Sequence, residues 1–150
     1  MAMDAHALAR SCADAMWADD KASAALGMKI ESISPGEAIL SMTVREDMVN
    51  GHAICHGGFI FTLADSAFAF ACNSDNHSAV ASGARIDFLA PGKLGDHLTA
   101  AARQVTQGRR TGVYDVEVSN QDGRKIAVFR GNSHRLGGQL VDATSGESVL

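Results

Sequence analysis

The segment His56-Gly-Gly-Phe-Ile-Phe-Thr-Leu-Ala-Asp65-Ser-Ala-Phe-Ala-Phe-Ala-Cys72 constrains the fold more than any other. Asp65 is its one charged residue. Apolar side chains run nearly all round the helix it would form, the pattern of a helix buried on most sides. The stretch is shorter than the roughly 20 residues a membrane-spanning helix needs. A buried helix must be wrapped by something. With 46% hydrophobic residues in 150, the chain has enough apolar material for one domain with a proper core.

The rest of the chain supplies strands. Residues 4–18 form an amphipathic helix pattern with Asp4 as N-cap. Leu26–Ile33 alternates, with Met28 and Ile30 set against Lys29 and Glu31, and Pro35-Gly36 turns the chain into a second strand, Glu37–Val44. Residues 45–55 are polar and irregular. The central helix is expected over Gly57–Asn73. Four strands follow: Ala79–Phe88, His97–Thr106, Thr111–Ser119 and Lys125–His134, with turn signals at Pro91-Gly92, Gln107-Gly108 and Gln121-Asp122-Gly123. In Thr111–Ser119, Tyr114, Val116 and Val118 share one face. Strands without intervening helices imply an antiparallel sheet, so the class is α+β: one curled sheet around one helix. A small open sheet has free edges, and an edge-to-edge homodimer is expected. Residues 1–150 form one domain with a core of about 22–138, and the Gly- and Ser-rich tail 139–150 is expected to be flexible.

Asp65 would be desolvated in such a helix unless something pairs with it. It is either a satisfied core Asp or a reactive carboxylate. His56-Gly57-Gly58 stands at the expected helix start, where N–H groups are unpaired and the backbone is partially positive. Glycines there admit another molecule close to the backbone. Those are the parts of an oxyanion hole. Water attacking a carbonyl needs such donors and a base, and a carboxylate serves as base or nucleophile.

A net charge of −4 argues against a broad nucleic-acid surface. Cys12, Cys55 and Cys72 are an odd number at unrelated spacings, which fits a reducing compartment. Residues 1–14 carry charges and no apolar stretch of a leader type, so a cytoplasmic location off the membrane is expected. His52, Cys55 and His56 lack a fourth ligand at a zinc-like spacing, so no metal is expected. A Cys55–His56 nucleophile pair is disfavoured because neighbours in an extended chain point to opposite sides.

The blocks Asn50-Gly-His-Ala-Ile-Cys-His56-Gly57-Gly58 with Thr62-Leu-Ala-Asp65, Ile86-Asp-Phe-Leu-Ala-Pro91-Gly-Lys-Leu-Gly95-Asp96, and Gln107-Gly-Arg109-Arg110-Thr-Gly-Val-Tyr114 resemble the hotdog-fold acyl-CoA thioesterases, and among them those of phenylacetate degradation. The likeness spans about residues 22–138. It implies a hotdog fold and hydrolysis of an acyl-CoA thioester, with ring-hydroxylated phenylacetyl-CoA as substrate class. No metal or other cofactor is implied, CoA being part of the substrate. A homodimer or homotetramer with active sites shared between chains is implied too. By this resemblance Asp65 is the catalytic carboxylate and the Gly57 N–H polarises the carbonyl. Asn50 and His56 lie near the thioester, and Ser82 and Thr62 contact substrate or its water. Lys93, Arg109 and Arg110 are candidate partners for CoA phosphates. Two other readings remain open. One is a hydratase using Asp47 and His52, whose Asp-x4-His spacing occurs in hotdog-fold enoyl-CoA hydratases. The other is a non-catalytic acyl-CoA-binding module.

Overall fold

The computed structural model describes residues 1–150. Helix α1 (Ala5–Asp19) starts where Asp4 accepts a hydrogen bond from the Ala7 N–H at 2.8 Å. A short helix follows, α2 (Lys21–Ala25), in a stretch where the sequence pattern predicts no element. Asp20 caps it, accepting from the Ser23 N–H at 3.0 Å and the Ser23 hydroxyl at 2.7 Å. Strand β1 is therefore Lys29–Ser34 rather than Leu26–Ile33. Then come β2 (Glu37–Thr43), a single 3-10 turn at Glu46–Met48, and α3 (Gly57–Cys72). Strands β3 (Ala79–Phe88), β4 (His97–Gln107), β5 (Thr111–Ser119) and β6 (Lys125–Arg135) complete the chain.

The six strands form one antiparallel sheet in the order β1-β2-β4-β5-β6-β3. Helix α3 lies against its concave face and packs on β2, β4 and β5, with lesser contact to β1, β3 and β6. This is the α+β hotdog arrangement. The period-two pattern of β5 holds: Tyr114, Val116 and Val118 are buried against α3. Phe68 and Phe70 of α3 are fully buried, whereas Phe59 and Phe61 are half-buried at the rim of the core. Gly131 on β6 is where the Phe68 ring meets the sheet. A Cβ there would stand 2.8 Å from the ring, so the close approach requires glycine.

The tail begins with a packed pair of residues. Leu140 and Val141 are buried against Cys12 and Ala15 of α1. Their anchor is Asn76, itself buried and held at φ 66°. Its Oδ1 accepts from the Leu140 and Val141 N–H groups at 2.9 and 3.0 Å, and its Nδ2 donates to the Val141 carbonyl at 2.9 Å. Asparagine is one of the few residues that tolerates this backbone region. The start of the tail expected to be flexible from composition thus packs on α1, through a contact 64 residues away in sequence. No helix is long and apolar enough to cross a membrane.

Candidate active site

The start of α3 is held by hydrogen bonds from three loops. Asn50 closes a tight turn, its Oδ1 accepting from the His52 N–H at 2.9 Å and the Ile54 N–H at 3.4 Å. Ala53 in that turn sits at φ 61°. The Cys55 N–H donates to the Gly92 carbonyl and the His56 N–H to the Met48 carbonyl, both at 2.7 Å. His56 is the N-cap of α3, and its Nδ1 accepts from the Gly58 N–H at 2.9 Å. That bond leaves the ring proton on Nε2 and satisfies one of the orphan donors of the first turn. The adjacent Gly57 N–H makes no hydrogen bond within the chain. A capped amide and a free one therefore stand side by side.

The free donor opens into a cleft of about 650 Å3 lined by Asn50, Ile54, Gly57, Ile60, Phe88 and Pro91, among others. The Phe88 ring lies directly over Gly57, where a Cβ would come within 2.8 Å of it. Composition and motif reading found Asn50 and Gly57. Phe88, Ile54 and Ile60 carried no signal of their own, because only the fold brings them to the helix start.

Asp65 lies elsewhere. It is eight residues beyond Gly57 on the same helix, which is about 12 Å at 1.5 Å per residue and a different azimuth. One chain does not bring the two to a common reacting atom. The Asp65 side chain is half-buried and has no hydrogen-bond or ion-pair partner in the chain. Burial pushes its carboxyl above the ordinary range. Asp96 shows the contrast. Gln121 donates to it at 3.0 Å and the Lys93 N–H at 2.8 Å, and these bonds hold its carboxyl below the ordinary range. Asp96 pins the Pro91–Gly95 loop, whereas the Asp65 carboxylate has no partner within the chain.

The remaining candidates are dispersed. The Thr62 hydroxyl donates back to the Gly58 carbonyl at 2.8 Å. Ser82 is the extra residue of a bulge in the exposed strand β3, and its hydroxyl donates to the Asn132 carbonyl at 3.2 Å. Lys93 is exposed on the loop that bridges to Ile54, beside the cleft but outside its lining. Arg109 and Arg110 lie with His77 at the opposite, C-terminal end of α3. Burial pushes the Cys55 thiol up to about 11 and its Sγ faces the His56 carbonyl, so Cys55 and His56 form no nucleophile–base pair. Asp47 is tied to Arg45 at 3.0 Å, and no hydrogen bond or ion pair joins it to His52. The hydratase reading therefore has no assembled acid–base pair within the chain. No group of three or more His, Cys, Asp or Glu side chains is placed to hold a metal.

Residues 52–127, which carry the helix start, Asp65 and the cleft wall, match the family model described as Thioesterase superfamily. Acyl-coenzyme A thioesterase PaaI of Escherichia coli is 53% identical over 129 residues, covering 86% of this chain and 92% of that protein. The structure of the Escherichia coli PaaI protein from the phenylacetic acid degradation operon matches with a TM-score of 0.86 at 51% identity, over 88% of this chain and 98% of that one. A Streptococcus mutans protein solved bound to acetyl CoA matches with a TM-score of 0.73 at 33% identity, over 75% and 90% of the two chains. With its family model, its relatives and its fold in agreement, the chain belongs to the thioesterase superfamily.

Proposed function

We propose that this protein is an acyl-CoA thioesterase that hydrolyses aryl-CoA thioesters, ring-hydroxylated phenylacetyl-CoA above all, to the free acid and CoA. The observation that carries the reading is the unpaired Gly57 N–H facing an apolar cleft, together with an unpaired, half-buried carboxylate on the same helix. The likeness to PaaI, a thioesterase acting on acyl-coenzyme A, supports the CoA thioester as substrate.

In the proposed reaction the thioester carbonyl oxygen accepts from the Gly57 N–H. That donor strengthens its bond as the oxygen gains charge, and removing one such donor typically costs about 10²–10³ in turnover. Asp65 takes a proton from the attacking water, or attacks the carbonyl carbon itself to form a mixed anhydride that water then hydrolyses to the free acid. The C–S bond breaks, and the CoA sulfur leaves and picks up a proton. A desolvated carboxylate is a stronger base than one in water. Asn50 and His56 hold the oxyanion turn, and no metal or other cofactor takes part.

The separation of about 12 Å between Asp65 and Gly57 along α3 supports a site built from two chains. Strand β3 is a sheet edge, with Val80 and Phe88 about half exposed. Pairing two β3 edges antiparallel sets two α3 helices head to tail, so that Asp65 of one protomer works opposite Gly57 of its partner. The test is a screen of aryl- and alkyl-CoA thioesters with thiol release as readout, before and after dialysis against a chelator. The reading expects aryl-CoA thioesters to be turned over best and the chelator to change nothing. Preference for long alkyl chains overturns the substrate class, and a rate restored by a divalent ion overturns the metal-free mechanism.

A further inference from the structure

The chain has six Phe, one Tyr and one Trp, and four of these rings stand in one row. Phe61 of α3 meets Phe129 of β6 edge-on, with ring centroids 5.3 Å apart. Phe129 meets Phe68 at 5.9 Å, and Phe68 meets Tyr114 of β5 at 5.8 Å. Tyr114, Phe68 and Phe129 are buried, and Phe68 is seated on Gly131, so the inner end of the row is fixed. Phe61 is the outer end and is half-buried. It comes four residues after Gly57 and four before Asp65. At 1.5 Å and about 100° per residue, it stands about 6 Å along the helix and about 40° around it from each. It therefore lies between the oxyanion donor and the carboxylate, on the same side of α3. In the paired arrangement proposed above, Gly57 of one protomer works opposite Asp65 of its partner. Residue 61, midway between those two positions, then meets its own copy at the two-fold axis. One pair of Phe61 rings stands between the two active sites and borders both.

Resting on the thioesterase reading above, we propose that the Phe61 ring is the closed end of the acyl pocket and selects an aromatic acyl group. A thioester held at the Gly57 N–H has two sides. CoA is long and carries charged phosphates, so its side must lead out to water. The acyl side then points inward along the paired helices, towards the axis where Phe61 stands. The depth available is about 6 Å, which a methylene and one benzene ring fill and a long alkyl chain overruns. Edge-to-face or offset contact with the Phe61 ring favours an aryl group over an alkyl group of equal volume. Phe129 behind Phe61 keeps that ring from turning aside. Residues four apart on a helix are neighbours, so the same ring also shields the Asp65 carboxylate from water. Phe59, the other half-buried ring near the helix start, lies about 160° around α3 from Phe61 and faces His56, at 6.1 Å.

The test measures thiol release from phenylacetyl-CoA and from octanoyl-CoA. Wild type is expected to favour the aryl thioester. Phe61→Leu keeps the core filled without the ring and is expected to lower kcat/KM for phenylacetyl-CoA about tenfold. Phe61→Ala opens the end of the pocket and is expected to reverse the preference, raising kcat/KM for octanoyl-CoA about tenfold. Phe59→Leu is expected to leave the ratio of the two substrates unchanged. Thermal unfolding checks that each variant is folded. Calorimetry with ketone analogues of the two substrates, in which a methylene separates sulfur from carbonyl, reads the pocket without hydrolysis. Wild type should bind the aryl analogue more tightly, and both Phe61 variants should lose that preference. A substrate ratio unchanged in the Phe61 variants, or shifted as far in Phe59→Leu, overturns the assignment. If wild type hydrolyses neither thioester, the thioesterase reading fails, and the analogue preference of wild type against Phe61→Leu still decides whether Phe61 selects the acyl group.

Discussion

Replacing Asp65 by Asn should make the protein more stable while it destroys turnover. Asp65 is half-buried with no donor or cation beside it, and burial raises its carboxyl pKa. The native state therefore binds a proton more tightly than the unfolded chain. Stability then falls as pH rises through the native pKa; the penalty is complete above that value and absent below the unfolded value of about 3.9. An unpaired charge costs more to bury than a neutral amide of the same shape, and half-burial leaves a difference of about 1 kcal/mol. Asn has the same shape without the charge, so the gain at about pH 8 is of that order, or about 2–4 °C in Tm for a chain of this size. It should shrink as pH falls and vanish below the unfolded value of about 3.9. Thermal unfolding of parent and variant across that range is the assay. A variant less stable than the parent at about pH 8, or a difference that grows as pH falls, would show that Asp65 has a stabilising partner and would refute its reading as an unsatisfied, functional carboxylate.

His56→Ala removes the N-cap bond to the Gly58 N–H. Calorimetry should register a loss of about 1 kcal/mol, with thiol release retained within about tenfold; a thousandfold fall would make the ring itself a catalyst. Asn76→Ala removes three hydrogen bonds that tie down the tail and leaves buried backbone groups unpaired. A cost of about 3 kcal/mol follows, with new proteolytic cleavage between α1 and the chain end, and an intact, protease-resistant tail would contradict the anchor.

The elements with strong local signals were legible. The lone charge in an apolar helix, the alternation of Tyr114, Val116 and Val118, and the Gly-bearing turns each state a period or a break that neighbours cannot disguise. Helix α2 was missed because five residues are too few to show a period, although Asp20 three residues before Ser23 was a cap signal in plain view. The anchoring of the tail was not legible for a different reason. Composition reports local entropy, whereas Asn76 is a tertiary partner far away in sequence. The site divides along the same line. Gly57, Asn50 and Asp65 sit in motifs, and helical spacing alone separates Gly57 from Asp65. Phe88 over Gly57, and Arg135 clamping the turn of Arg109 and Arg110, exist only once the sheet is assembled.

The central claim is that each active site joins Asp65 of one chain to Gly57 of another. Mixed oligomers test it directly. Asp65→Asn removes the carboxylate, and Gly57→Pro removes the oxyanion donor. Proline is accepted at this first helical position, and the preceding residue, His56, already has the extended ψ of 132° that proline demands. The exposed Phe88 ring over Gly57 must swing aside, which a half-exposed side chain can do. With the two variants carrying different tags, heterodimers are purified and their thiol release on an aryl-CoA thioester is measured. The account expects both parents to be inactive and the heterodimer to regain one working site of the two. A heterodimer that forms and stays as inactive as its parents would contradict the shared site and require Asp65 and Gly57 to serve one reaction from a single chain.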